Sequence, residues 1–367
     1  MLRKFYISLV VLLFSTFAWA QTPTITVEAA KLYEQKELQR AKEKIDAAIL
    51  TEQGKVDSYT WHVRGHIYKE IYKVIDNRDP NSKNREESVE AFFKAMEFDA
   101  DGKFDQMNYN VIKTFFIPSF YNDVVNMLNN RTSENIDMIK PRYDKYREVQ
   151  KRLEPDFSLS TRDINFAKAL ATSYRKLIEI ERNNGSEREE YEAYFEAVKE
   201  YYRAAIKLDT MDYGANYNLA INLYNEAAYI IENIGPDCDL HCIGEKQEIC
   251  VDLFKEALPF ALTAYKLKPE RVEINKALRA IYYSLILEDK KEDFESNLRE
   301  LKKGRTLDGI EFQEWKLKFE RKALNIHKKC IKDLPKDIEG VNSSIEGDDI
   351  FERLGTDGID NLNGSKD

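Results

Sequence analysis

The sequence predicts an all-α fold assembled from helix-turn-helix units, and three observations carry that expectation. First, Ala197, Tyr201 and Ala204 are followed, after a turn at Leu208-Asp209-Thr210, by Tyr217, Asn218, Leu219, Ala220 and Tyr224. Small and large residues at these offsets let two helices touch closely and turn back on each other. Second, the spacing of four then three recurs at Ala41, Ile45 and Ala48, at Ser88, Phe92 and Ala95, and, as small residues alone, at Ala257, Ala261 and Ala264. Third, charged residues make up 33% and aromatics 12%, whereas 14 Gly and 9 Pro in 367 residues are too few turn formers for a strand-rich chain.

Residues 1–20 read as a separate object. Arg3 and Lys4 precede an apolar run from Phe5 to Phe17, and Ala18-Trp19-Ala20 ends it, which is the pattern of a secretory signal peptide cleaved before Gln21. The run is shorter than the roughly 20 residues of a spanning helix, so an uncleaved anchor is the weaker reading. No Cys lies near the cleavage site, which excludes lipoprotein attachment, and no later stretch is apolar enough to span a bilayer. Loss of Arg3 and Lys4 moves the net charge from -9 to -11. An acidic, exported chain is a poor candidate for nucleic acid or anionic lipid.

The residues after the leader, from 21 to 305, are expected to form the array. Two short helices are predicted in VEAAKLYEQKELQRAKEKIDAAIL, then, after a turn near Gly54, a helix carrying Trp61, Gly65 and Tyr68. An aromatic residue, Gly four later and Tyr three after that resembles the first-helix signature of the tetratricopeptide repeat. The Ala-x3-large-x2-Ala triplet is similar to its second-helix signature. Gly65 and Ala220 would let the partner helix approach, while Trp61, Tyr68 and Leu219 fill the volume beside that contact. Pro269, five residues after Ala264, falls where the family pattern has its proline, and Leu278 takes the place of Leu219. Arg279 stands where a small residue is expected. Equivalent alanines are 47 residues apart from Ala48 to Ala95 and 60 apart from Ala204 to Ala264, so the repeats are longer than the family standard of about 34. The resemblance implies a right-handed α-α superhelix, a tetratricopeptide-like solenoid, with the Ala197–Tyr224 stretch closing one repeat and opening the next.

Between Phe104 and Leu153 the apolar stretch NYNVIKTFFIPSFYNDVVNML predicts a long helix kinked near Pro118. The next segment predicts a helix capped at Ser133 and stopped by Pro155. A helix over Asp163 to Glu181 carries Phe166, Ala167, Leu170, Ala171 and Tyr174 on one side. Residues 234–247 read as an insertion between the helices of one repeat. Residues 306–334 hold Phe312, Trp315, Phe319, Ala323, Ile326 and Cys330 three or four apart, the stripe of a helix that caps the open end of an array. Residues 335–367 are rich in Asp, Glu, Gly, Asn and Ser and are expected to be a disordered acidic tail.

Little in the chain suggests chemistry. No nucleophile elbow, phosphate-binding Gly loop or kinase set is present, so no enzyme and no cofactor is expected. Cys238, Cys242, Cys250 and Cys330 are disulfide candidates in an exported chain, with pairing left open. Zinc at the Cys-rich segment, with His241 between two thiols, is the sharper but weaker idea, because the spacing matches no known finger. His62 and His66 share a helix face, but Val63 follows the first His where a metalloprotease helix has Glu. Asp209-Thr210-Met211 resembles an O-glycosylation tripeptide of some exported bacterial proteins.

Tetratricopeptide arrays bind ligands with the inner face of each first helix. The resemblance therefore implies a peptide- or protein-binding groove lined by Tyr59, His62 and His66, then by Tyr217, Asn218, Ile221, Tyr224 and Asn225, then by Lys276, Tyr283 and Ser284. Tyr and Asn hydrogen-bond a peptide backbone while offering apolar area. The two-carboxylate clamp of chaperone-binding members is not expected: Asn218 fits one of its positions, but the Lys and Asn expected one repeat earlier are Lys168 and Thr172. The expected function is an exported, periplasmic interaction scaffold. A structural subunit of an envelope or secretion assembly is the alternative, and a metal-dependent enzyme on an α-array is less expected.

Overall fold

A computed structural model describes residues 23–286 and 288–303 of the chain. The expected leader (1–20), capping helix (306–334), acidic tail (335–367) and Cys330 lie outside the described residues. Among those described, all regular structure is helical. In order the helices are α1 (Thr24–Glu34), α2 (Leu38–Ala48), α3 (Ser58–Val74), α4 (Lys83–Glu97), α5 (Asp105–Val111), α6 (Ile117–Asn129), α7 (Ile136–Leu153), α8 (Ser160–Asn184), α9 (Arg188–Leu208), α10 (Tyr213–Glu232), α11 (Leu240–Leu267), α12 (Val272–Ser284) and α13 (Glu288–Lys302). The described residues fall into two compact units: 23–124 together with 140–157, and 125–139 together with those from 158 to 303.

In the first unit, α1 packs on α2 and α3 on α4. Ala41, Ile45 and Ala48 of α2 are sealed from solvent and lie in one cluster with Ile67, Tyr68 and Ile71 of α3. Asp57 caps α3 by accepting the Thr60 N–H at 2.8 Å, and Ser82 caps α4 through the Arg85 N–H. Trp61 packs on Ala91 and Ala95, and its indole N–H donates to the Lys55 carbonyl at 2.9 Å. Ser88 Oγ donates to the Gly65 carbonyl at 2.6 Å, so the close approach of α3 and α4 expected at Gly65 is made.

The irregularity expected near Pro118 takes a specific form. Residues Ile112–Phe116 between α5 and α6 are a π turn, and the Ile117 N–H bonds back five residues to the Ile112 carbonyl. Pro118 has no N–H to give and its ring crowds the carbonyl four residues earlier, so widening the ladder just ahead of it relieves both problems. The start of α7 differs from expectation. The Asn135 side chain accepts from the Thr132 N–H and donates to the Asn130 carbonyl, both at 2.9 Å. That closed turn holds residues 132–135 out of the helix, which begins at Ile136 and not behind a Ser133 cap. Its end at Leu153, two residues before Pro155, is as expected.

In the second unit, α8 packs on α9, α10 on α11 and α12 on α13. Phe166, Ala167, Leu170, Ala171 and Tyr174 are buried on α8, and Ala257, Ala261 and Ala264 are fully buried on α11. The register on α9 is one residue later than the sequence suggested. Val198, Tyr202 and Ala205 are buried, while Ala197, Tyr201 and Ala204 are only half-buried. The adjacent tyrosines explain the slip: Tyr202 turns inward beside the Thr172 hydroxyl at 3.2 Å, whereas Tyr201 stacks on Tyr174 at 5.8 Å nearer the surface. Arg279 is exposed, and Ile274, Ala277, Leu278 and Ile281 carry the packing of α12. Of the segment expected as an insertion, residues 240–247 form the first turns of α11, with Asp239 capping through the Cys242 N–H at 2.9 Å.

Candidate functional site

In the second unit α8 and α10 run side by side. Lys168 Nζ meets Asp212 Oδ2 at 3.0 Å near one end, and Arg182 meets Glu226 near the other. Both pairs span 44 residues, and an equal offset at two places means the helices are parallel and in register.

Between them lies a shallow cleft open to solvent. Arg175, Ile178, Glu179 and Arg182 of α8 form one wall, Asn222, Asn225 and Glu226 of α10 the other, and Phe195 of α9 also lines it. Glu226 is 2% exposed and also accepts from Arg188 Nε at 3.3 Å. Burial pushes its carboxyl above the ordinary carboxylate range, and the guanidinium groups of Arg182 and Arg188 pull the other way. The Arg182 guanidinium lies 3.8 Å from the centre of the Tyr229 ring, so that wall is fixed by stacking as well as by charge. Arg175 pairs with Glu179, and Asn222 donates to the Asn218 carbonyl at 2.7 Å. The mouth therefore presents amide groups, with guanidinium groups already paired to Glu179 and Glu226, over an apolar contribution from Ile178 and Phe195. Such amide groups can pair with a peptide backbone.

The residues expected along the groove are distributed unevenly. Asn225 is exposed at the cleft, and Tyr224 is half-buried with its ring 5.5 Å from Phe254. Tyr217, Asn218 and Ile221 are each less than a tenth exposed. Tyr217 stacks on Tyr213 at 5.7 Å, and burial pushes its hydroxyl up to about 12. On α12, Tyr283 is 62% exposed with the Lys291 ammonium 4.9 Å from its ring, while Lys276 and Ser284 are half-buried. The cleft-forming set Arg175, Glu179, Arg182, Asn222 and Glu226 was not picked out from sequence. A usable signal existed: Glu226 is the one acid in the interior of α10, whose other positions are apolar, small or amide.

Tyr59, His62 and His66 lie in the first unit and are brought together. The two imidazole rings are 4.6 Å apart, and Tyr59 is 6.3 Å from His62. His62 stacks on Phe104 at 4.8 Å and its Nδ1 lies 2.7 Å from Asn108 Oδ1, while His66 meets Phe92 edge-on at 5.1 Å.

Cys238 and Cys242 are joined in a disulfide at the start of α11. Cys250 is a buried thiol that donates to the Ala227 carbonyl at 3.4 Å, and burial raises its pKa. His241 is exposed beside Glu245 at 3.3 Å, and among the described residues no group of three or more His, Cys, Asp or Glu is placed to hold a metal ion. Asp209, Thr210 and Met211 are exposed in the α9–α10 turn. No helix of the described residues is long and apolar enough to cross a membrane.

The fold and the cleft define an all-α protein of packed helical hairpins. No protein-family model matches the chain, and no curated protein matches its sequence.

Proposed function

We propose that the protein is an exported interaction scaffold of the tetratricopeptide type, whose hairpins stack as a right-handed solenoid and whose first helices form a groove for an extended segment of a partner protein. The observation that carries this reading is the cleft between the parallel helices α8 and α10, where Arg175, Asn222 and Asn225 converge on a space open to solvent. Parallel neighbouring first helices are what stacked hairpins produce, and amide side chains along such a face suit the alternating donors and acceptors of a peptide backbone. The leader at residues 1–20 supports the exported, periplasmic location. No cofactor is needed for this role.

Site-specific photocrosslinking tests it. A photoreactive residue at Asn225 or Tyr283 should capture a discrete partner in the native envelope, and the same residue at exposed Glu196 on α9 should not. Equal capture from all three positions, or none from Asn225 and Tyr283, overturns the groove reading. Arg175→Ala together with Asn225→Ala should weaken recovery of that partner by roughly tenfold or more, since each lost polar contact in a binding site costs about 1 kcal/mol.

A further inference from the structure

The histidine pair on α3 is half-buried among aromatic rings in a way that the groove reading does not require. His62 and His66 lie against each other and are flanked by Tyr59, Phe92 and Phe104, three aromatic rings with centroids 4.8 to 6.3 Å from one or other imidazole. The one polar contact is from His62 to Asn108 of α5, whose side chain is fully buried and whose Nδ2 finds no partner. Asn108 Oδ1 accepts, so His62 Nδ1 carries a hydrogen in this arrangement; His66 gains no compensating acceptor from any neighbour.

The charged groups facing the pair are few. Lys69, on the same helix, disfavours protonation of both rings, and Asp99, in the loop after α4, favours it at His62. One oxygen of the Asp99 carboxylate, Oδ2, accepts the Phe104 and Asp105 N–H groups at 2.6 and 2.8 Å where α5 begins. The packed side chains from α4 and α5 are Phe92 and Asn108, neither of which ionises.

We propose that the His62–His66 pair is an acid-sensitive latch: neutral imidazoles hold α5 and the following π turn against α3, and protonation releases residues 104–116. A second proton would set two cations side by side, with the Lys69 ammonium adding to the repulsion and Asp99 acting favourably on His62 alone. The π turn at Ile112–Phe116 is the place where the helical ladder already departs from α geometry, so the released segment has a built-in boundary. Burial lowers the pKa of both histidines, His66 to about 3. The sign follows from that direction: the docked state binds fewer protons than the released state. Docking is fully favoured above the ordinary histidine value of about 6.5 and is lost progressively as pH falls below it.

Hydrogen exchange on the full chain tests the latch. After correction for intrinsic rates, amides of residues 104–116 should lose protection by roughly tenfold or more between about pH 7.5 and about pH 5, while those of α10 and α11 hold theirs. The variant His62→Gln/His66→Phe keeps a donor for Asn108 and an aromatic ring against Phe92 but cannot be protonated, and its protection should change by less than about twofold. Equal loss in wild type and variant, or no loss in wild type, overturns the proposal. Proton NMR of the wild-type histidines gives an independent reading if the variant does not fold. A His66 ring that titrates near about 6.5 in the folded protein is not enclosed, and the latch fails.

Discussion

Gly65 of α3 lies directly beneath the Phe92 ring of α4: a Cβ at this position would come within 2.8 Å of two ring carbons and 2.9 Å of a third. Phe92 has no room to yield, because it is fully buried between the rings of His66 at 5.1 Å and Phe116 at 6.1 Å. Ala is favoured over Gly in a helix interior by about 1 kcal/mol, so Gly65→Ala sets that gain against overpacking worth about 1–3 kcal/mol. The clash should win. Urea denaturation is expected to show Gly65→Ala destabilised and Gly65→Leu more so; a stabilised Gly65→Ala would show that the α3–α4 contact is looser than the ring geometry indicates.

The α9 register yields a paired test. Ala205 is fully buried and Ala204 only half-buried. Ala205→Leu should cost about 1–3 kcal/mol by overpacking, whereas Ala204→Leu should stay within about 0.5 kcal/mol of wild type. If the two costs come out reversed, Ala204 and not Ala205 makes the close contact of α9.

How much was legible in the sequence depended on what each residue pattern determines. Positions sealed by small side chains were readable, because a Gly or Ala amid large residues has few reasons to be there other than close approach: Gly65, Ala41 and Ala48 sit in the expected contacts, and Ala220 and Ala261 are fully buried. Where two similar residues are adjacent, as at Tyr201 and Tyr202, periodicity fits either face, and only the partner Thr172 decides. The turn before α7 was missed for a related reason, since the local bonds of Asn135 compete with a cap that Ser133 could equally have made. The cleft was least legible. It depends on residues 44 apart on two different helices, and no pattern within one helix reveals that Arg182 and Glu226 meet. The groove candidates drawn from a repeat register identified Asn225 at the cleft, but the same register also selected Tyr217, Asn218 and Ile221, which neighbouring helices largely cover.

Asn216 and Asn275 make the same tie at the foot of successive first helices. Asn216 Nδ2 donates to the carbonyls of Thr210 and Asp212 at 3.2 and 2.9 Å, and Asn275 Nδ2 to those of Pro269 and Arg271 at 2.7 and 2.8 Å. Both side chains are fully buried, and truncation takes the donor from the Thr210 and Pro269 carbonyls, whereas Asp212 and Arg271 keep a backbone N–H. Asn216→Ala and Asn275→Ala should each cost about 1–3 kcal/mol in equilibrium unfolding. Asp at either position should be no better, because it supplies no donor.

The Cys238–Cys242 bridge closes a loop with a sequence separation of only 4, so little unfolded-chain entropy is removed. Cys238→Ser/Cys242→Ser should therefore lose roughly 2 kcal/mol or less. Non-reducing peptide mapping should recover Cys238 linked to Cys242. Cys250 should alkylate slowly until the chain is unfolded, being buried with a raised pKa. Rapid alkylation of Cys250 in the native protein would mean that α11 opens from α10 there.

Arg85 is the charge whose removal of partner should matter most in the first unit. Its guanidinium is 1% exposed and donates to Asp123 Oδ2 at 2.6 Å, to Ser119 Oγ at 3.2 Å and to the Pro80 carbonyl at 2.7 Å, with the Phe120 ring 4.1 Å away. Asp123 is the one anion in that set. Asp123→Ala leaves a buried cation with neutral acceptors only, and such an uncompensated charge costs about 3–5 kcal/mol. Removing both charges is a different matter: Arg85→Met/Asp123→Leu exchanges the desolvation penalty of two ions for apolar contact with Phe120 and Tyr72, and should recover most of the loss. Denaturation at low and at high salt separates this from a surface effect, because a pair this deep is screened little and the difference between single and double variants should survive added salt. A double variant as unstable as Asp123→Ala would instead assign the stability to the Pro80 and Ser119 bonds, which only the arginine can make.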